Sequence, residues 1–378
     1  MKAGRFFHVE LAALSGFDID VARKSGIPCS NEINQEWGKP VKLPTWGVVG
    51  TMDEPPELVA AYAAHHLWAG ASAVHIYLDR DNLRTRALLA PLDAVHVTVA
   101  DEAYWRAELD IKVPKTHQRR QTLNATLAYR RTDVDYLVHL DADEFIHQVE
   151  PLEKELARLQ TMRPGDYLNI PNLERVWLEG EAQDDMFSGN FRASTKRLEG
   201  DFSRLVLDGE GLTRFGLTGH SEGKACSPTG YDYVLGIHRP HHDTERPWTF
   251  PGVKRSRSSV ILHFDGMTRL HWVYKRLRKA QFRETQVGQP ITEQMQAQID
   301  AIEAGGGDMA AANALHDRVK VLGVMVDSLR EEDLLLEVPF DVTRGLKALL
   351  PHETLDLSAA GFDAWLRAEK AEFFDGLG

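Results

Sequence analysis

Apolar and polar positions alternate along the chain with two different periods. Residues 46–51 form a short apolar run of the kind a buried strand shows. Pro55 and Pro56 suit the first turn of a helix, in which Leu58, Tyr62, His65 and Trp68 or Ala69 recur at helical spacing until Gly70 supplies a stop. The pattern then predicts a strand over 73–78, a helix over 83–90, a strand over 94–99 and a helix over about 116–130. A last apolar run, Tyr136, Leu137, Val138, His139 and Leu140, reads as a strand that ends abruptly in acids. This rhythm predicts an α/β fold: a Rossmann-like, mostly parallel central sheet with helices on both faces and ligands at the carboxyl ends of its strands.

The flanks are less regular. Residues 1–44 carry turn signals at Gly26-Ile27-Pro28 and Gly38-Lys39-Pro40 and read as an irregular extension packed on the main domain. After the acids, 149–160 reads as a helix, and strand-like pieces follow at 167–170, 204–207 and 233–237 with long polar connections that suit a substrate pocket. Helical patterns return at 272–282 and through 291–350, interrupted by Gly305-Gly306-Gly307, and an amphipathic helix closes the chain over 362–374. The expected organisation is therefore an extension (1–44), a main domain (45–290, divided into 45–150 and 151–290) and a helical C-terminal region (291–378).

Composition narrows the setting. A chain of 378 residues with 43% hydrophobic and 26% charged residues is typical of a globular protein. The formal charge of −12 disfavours a nucleic-acid partner. Cys29 and Cys226 have no metal-type spacing and form no disulfide framework, which points to a reducing cytoplasm. The N-terminus lacks a signal-peptide run, no window reaches the ~20 apolar residues of a membrane span, and the sequon at Asn124 reads as chance.

The densest chemistry lies at Asp141-Ala142-Asp143-Glu144. Carboxylates at the end of a buried strand cost several kcal/mol unless a cation or hydrogen bonds compensate, so the pair suggests a hard divalent metal holding phosphates. Alternate strand residues point the same way, so Asp141 and Asp143 can share one ion directly or through water. The bland account is a strand running into a solvated acidic turn.

The order of these pieces resembles the amino half of family 2 and family 92-like glycosyltransferases. The likeness is carried by Thr51-Met52-Asp53-Glu54, His65-His66, Asp79-Arg80-Asp81-Asn82, the segment 119–124 and Leu140-Asp141-Ala142-Asp143-Glu144-Phe145, over residues 45–150. Met52-Asp53-Glu54 stands where Lys-Asn-Glu is usual, which favours Glu54 over Asp53. Downstream, His263-Phe264-Asp265-Gly266-Met267-Thr268-Arg269-Leu270-His271-Trp272 is similar to the His-Phe-x-Gly-x-x-Lys-Pro-Trp motif of family 8, with Arg269 for Lys and His271 for Pro. The resemblances imply a GT-A fold, a nucleotide-diphospho-sugar donor, Mn²⁺ or Mg²⁺ held by Asp141, Asp143 and His263, and Arg269 against the diphosphate. A hydroxyl acceptor, on a glycan or a lipid-linked molecule, completes the expectation.

The remaining candidates carry bland alternatives. Thr51 and Glu54 close the first strand; Asp79, Asp81 and Asn82 close the second and read equally as an Asx-rich turn, with Asp79 preferred for a nucleoside. Arg120 and Asn124 share a helix face and reach a donor together, or are merely exposed. Gly223-Lys224 and Gly236-Ile237-His238-Arg239-Pro240 resemble a family 2-like pairing, which nominates Lys224 for the diphosphate and His238 for the acceptor side or the metal. A general base is sought among Glu222 and Asp243, while Glu144 supports the metal from behind. The basic stretch from Arg269 to Arg283 flanks apolar Leu270, Val273, Tyr274 and Leu277, either as a solvated helix face or as a contact with an anionic membrane or acidic glycan. Rival functions are a haloacid dehalogenase-like phosphohydrolase, disfavoured by Glu144-Phe145-Ile146, and a non-catalytic nucleotide-sugar or glycan binder.

Overall fold

The computed structural model describes residues 42–197, 208–243, 249–281 and 291–376. The expected extension lies outside these residues apart from 42–44, as does the strand expected at 204–207.

Strands β1 (Trp46–Met52), β2 (Ala73–Leu78), β3 (Val95–Val99) and β4 (Tyr136–His139) stand close to where the apolar runs predict them. With β6 (Tyr167–Ile170), β9 (Lys224–Pro228) and β12 (Val253–Arg255) they build a seven-stranded sheet in the order β12-β6-β9-β4-β1-β2-β3. Only β9 runs against the others, pairing antiparallel with β4 and β6. Every residue of β1 is buried, as the near-continuous apolar run of a strand covered on both faces requires.

Helices α1 (Pro56–Trp68), α2 (Leu83–Leu89), α3 (Glu102–Leu109) and α4 (His117–Arg131) connect these strands. Leu58, Val59 and Tyr62 of α1 join Val48, Val74 and Val138 in one core, whereas Ala125, Ala128 and Tyr129 of α4 join Val49, Tyr77 and Leu137 in another. The sheet is thus covered on both faces, the Rossmann-like α/β arrangement that the pattern predicts. Helix α3 has no counterpart in the sequence reading. It is only eight residues long and is defined by its ends, the Asp101 carboxylate accepting from the Tyr104 N–H at 2.8 Å and Asp110 in a left-handed conformation.

A second difference follows the acids. Residues 144–148 are not a lead-in to a helix but a strand, β5 (Glu144–Gln148), and α5 (Leu152–Met162) begins later than predicted. The chain leaves the first sheet at His139 and enters a second one at Glu144, so the acid pair spans the gap between the sheets. The second sheet has the order β15-β8-β7-β13-β5, from β7 (Asn172–Leu178), β8 (Asn190–Arg192), β13 (Ser259–His263) and β15 (Leu335–Leu336). The histidines of α1 clamp the transition: His65 Nε2 lies 2.8 Å from the Ile146 carbonyl, and the Ile146 N–H donates to His66 Nε2.

A hairpin of β10 (Tyr233–Leu235) and β11 (Pro240–His242) precedes α6 (Arg269–Gln281). Then follow α7 (Glu293–Ala304), α8 (Met309–Lys320), β14 (Val321–Leu322), α9 (Val326–Glu331), α10 (Thr343–Leu349), α11 (Ala359–Glu369) and α12 (Ala371–Asp375). The single closing helix expected over 362–374 is two, parted at Lys370. Leu270, Val273, Tyr274 and Leu277 of α6 are all buried in the protein, so the apolar face that the basic stretch flanks packs into the core. Among the described residues no helix is long and apolar enough to cross a membrane.

Candidate active site

The carboxyl ends of β1, β2 and β4 gather most of the residues that the sequence nominates. At the end of β1, Thr51 is buried and its Oγ accepts from Asn124 Nδ2 at 3.0 Å, while Asn124 Oδ1 accepts from the Tyr104 hydroxyl. At the end of β2, Asp79 takes a bidentate grip from Arg120, Nε at 2.9 Å and a terminal nitrogen at 2.7 Å, with His117 Nδ1 at 3.2 Å. Burial alone would raise the Asp79 carboxyl, but the hydrogen bonds from His117 and Arg120 outweigh it and hold it at about 2. Arg120 and Asn124 do share one face of α4, yet each is already engaged with a strand end.

Glu54 accepts the Asp53 N–H at 2.7 Å, and burial pushes its carboxyl up to about 7 against the pull of His117. Electrostatic coupling joins this corner to the acids, His117 to Glu54 and Asp141, and Glu54 to Asp143.

Between the sheets, three carboxylates meet two lysines. The Lys224 ammonium, wholly buried at the start of β9, donates to Asp141 Oδ2 at 2.8 Å and lies 3.0 Å from Glu144 Oε2. Burial opposes its charge, but Asp141 and Glu144 raise the Lys224 ammonium well above its ordinary value. Gln121 donates to the other Asp141 oxygen, and the Asp141 N–H donates to Glu144. Asp143 accepts from the Gly266 N–H at 3.2 Å and from Lys275 Nζ at 3.1 Å. Burial would raise both aspartates; Lys224 holds Asp141, and Lys275 with His263 holds Asp143, well below the usual carboxylate range.

Strand register completes the cluster. His263 at the end of β13 stands directly opposite Glu144 of β5 and, on its other side, opposite Glu174 of β7. Its Nε2 is 3.9 Å from Asp143 Oδ1, and burial keeps the ring below its ordinary basicity. Glu144 Oε1 accepts from His220 Nε2 at 3.0 Å, and the His220 ring lies 4.9 Å from that of His263 and 4.3 Å from that of His238. His238 bonds to the Gly223 carbonyl at 3.1 Å; burial, with His220 and Lys224, brings it down to about 2.

Three nominated residues lie apart from this cluster in their contacts. Arg269 pairs with Asp317 and the Asn313 carbonyl, Glu222 with Lys196, and Asp243 with Arg130 at 2.6 Å. Glu222 and Asp243 are 45% and 48% exposed, so both are open to solvent for a proton transfer.

Sequence reasoning passed over His220, Lys275, Gln121 and His117. Lys275 is legible only as one cation in a basic helix, and His220 sits in a polar loop with no periodic pattern.

No family model matches the chain, and no curated protein matches it. Among solved structures, the chain is similar to a CMP:2-keto-3-deoxy-manno-octonic acid synthetase complexed with CTP, at 13% identity over 37% of this chain and 61% of that one, with a TM-score of 0.23. It is similar to the first 349 residues of TarS from S. aureus at 11% identity, over 77% of this chain and 88% of that one, with a TM-score of 0.27. The bifunctional glycosyltransferase WbbM matches at 15% identity over 35% of this chain and 24% of that one, with a TM-score of 0.22. The chain spans about three fifths of the synthetase's length and a quarter of WbbM's. At such scores the likenesses leave the site to be argued from its own geometry.

Proposed function

We propose that this chain is a GT-A-type glycosyltransferase that moves a sugar from a nucleotide-diphospho-sugar to a hydroxyl on a glycan or lipid-linked acceptor, in a cytoplasmic setting. The supporting observation is the convergence, at one sheet edge, of a polar corner (Thr51, Asp79, Arg120, Asn124) with a cluster of buried and part-buried acids and lysines. Ligands of parallel α/β sheets bind at that edge.

Arg120 and His117 keep Asp79 ionised, and this bonded group fixes the strand-end corner against which a ribose or base would be read. Lys224 is sealed between Asp141 and Glu144 and serves to hold those two acids in place. Lys275, 33% exposed, is the cation that a departing diphosphate reaches. The cluster suits a divalent ion, since His220 Nδ1 and His263 Nδ1 are buried without a hydrogen-bond partner among the described residues. Such an ion, Mn²⁺ or Mg²⁺, would be held by His263 and the acids that face it, with Asp141 engaged by Lys224 and Gln121 instead, and would neutralise charge on the leaving group.

The acceptor proton is assigned first to Glu222, on the loop that carries His220, and second to Asp243, which pairs with Arg130 at the C-terminal end of α4. Glu222→Gln or Asp243→Asn is expected to depress kcat ~10²-fold or more at nearly unchanged donor affinity, because the base acts only on the acceptor. Steady-state kinetics of both variants, with near-normal turnover in each, would remove this assignment.

Thermal shift with a panel of nucleotide-sugars, with and without Mn²⁺, tests the reading as a whole. A true donor at a hundredfold excess over its Kd adds about 2.7 kcal/mol of stability. A panel that leaves Tm unmoved in the presence of Mn²⁺ counts against a nucleotide-sugar site.

A further inference from the structure

The loop from Thr218 to Gly223 presents a histidine to the acids and is tied down by strand side chains. Glu174 accepts from the N–H groups of Thr218 at 2.9 Å and Gly219 at 2.6 Å. Asn172 donates to the His220 carbonyl at 2.6 Å and accepts the Gly223 N–H at 3.1 Å, and Asn169 donates to the Glu222 carbonyl at 2.9 Å. Gly223 must be glycine to turn here, with φ of +71° and a Cβ position 2.4 Å from the Ile170 carbonyl oxygen. Gly219 must be small for a different reason: a Cβ there would lie 2.9 Å from His263 Cε1. The loop is therefore shaped so that His220 and His263 lie side by side, preorganised before any ligand arrives.

We infer that Glu144, His220 and His263 form a binding site for one divalent first-row transition ion, with Asp141 outside its ligand set. Each of the three offers a donor atom, all within 4.8 Å of one another, and no other such group of histidine, cysteine, aspartate or glutamate occurs among the described residues. Glu144 Oε1 and His220 Nε2 stand 3.0 Å apart. That is a hydrogen-bond distance, but it is also the ~3 Å edge between two ligands each ~2.1 Å from one ion at a right angle. The Nδ1 atoms of both histidines are buried without a hydrogen-bond partner among the described residues, as are ring nitrogens of His139 and His316, so it is the mutual placement of the three donors that carries the site.

Asp141 is excluded by its own contacts, one oxygen taken by Gln121 and the other by Lys224. Asp143 reaches the rim of the site, 3.9 Å from His263. Two imidazoles and one carboxylate favour Mn²⁺, Fe²⁺, Co²⁺ or Zn²⁺ over Mg²⁺ and Ca²⁺, which prefer oxygen alone. The site shares His263 with the ion of the proposed sugar transfer, but its test needs no nucleotide, so the two readings can fail separately.

Titrating the untagged full chain with Co²⁺, without nucleotide, and following the visible d–d absorption tests this. The expected result is about one equivalent per chain, resistant to excess Mg²⁺. His220→Gln and His263→Gln should each weaken Co²⁺ at least ~10-fold, since even residues that only support a ligand cost that much. Asp141→Asn should change affinity less than ~3-fold, within the scatter expected of a residue outside the ligand set. Circular dichroism checks that each variant is folded, and His220, on a loop and part-exposed, is the safer of the two histidines. Absence of a d–d band in the folded parent overturns the site. So does an unchanged affinity in His220→Gln, or a loss in Asp141→Asn as large as in the histidine variants, which would return the ion to the aspartate pair. If Co²⁺ binds as expected while no nucleotide-sugar does, the transferase reading fails and the metal site stands.

Discussion

Replacing Lys224 by methionine is expected to lower the unfolding free energy by about 3–5 kcal/mol, the cost of stripping one partner from a buried ion pair. The Lys224 side chain is 0% exposed and both of its charged contacts, Asp141 and Glu144, depend on it. Methionine fills the same space but leaves the wholly buried Glu144 and the part-buried Asp141 facing each other without a counter-charge. Against a total stability of about 5–15 kcal/mol, a loss of that size is a large fraction.

The pH dependence gives the deficit a signature. Asp141 and Glu144 titrate below their ordinary values of 3.8 and 4.5, so they contribute stability that is present above those values and is lost as pH falls through the folded values. Lys224 titrates above 10.5, so its contribution is present below 10.5 and is lost as pH rises through the folded value. In the variant, burial without a counter-charge lets the carboxylates take up protons more readily, and protonation relieves the repulsion. The gap between parent and variant should therefore be widest near neutrality and narrow below about pH 4, by urea denaturation at a series of pH values. A deficit under 1 kcal/mol at pH 7 would mean that water reaches the acids freely and that the cluster is not sealed.

The same cluster shows what the sequence displays and what it hides. Strands β1, β2 and β4 and helices α1 and α4 are legible because a sheet covered on both faces must be apolar along its whole length, and because Pro56 and Thr116 mark helix starts in the chain itself. Asp141 and Asp143 are legible because charge at the end of such a run needs a reason. Strand β5 is not, since its residues read as the tail of the acidic turn until β13 supplies the partner that makes them a strand. His220 is hidden for a related cause: its place is set by Asn169, Asn172 and Glu174, whose spacing follows the path of β6 and β7 rather than any local motif. Lys275 is one of several cations on α6, and only the fold shows that it, and not Arg269, reaches the acid pair.

Lys275 carries the largest expected effect on turnover. Lys275→Met should reduce kcat for sugar transfer or slow donor hydrolysis by about 10²–10³-fold, the cost of removing one fixed positive group from where charge develops. The argument rests on access and on charge state. With a third of its side chain exposed and Nζ 3.1 Å from Asp143 and 3.7 Å from Asp265, Lys275 contacts the buried acids and is also reached by solvent. Burial disfavours its charge, but Asp143 and Asp265 outweigh burial and hold the ammonium above 10.5, so it remains charged across the neutral range and turnover should show no titration from it there. Lys275→Arg keeps the charge at a different geometry and should recover part of the loss, whereas a residue that only supports the fold would be rescued as well by a neutral side chain of the same length. Stability is measured in parallel, because Asp143 loses a partner in the methionine variant. A folded Lys275→Met protein with turnover within threefold of the parent would remove Lys275 from the proposed stabilisation of a leaving diphosphate.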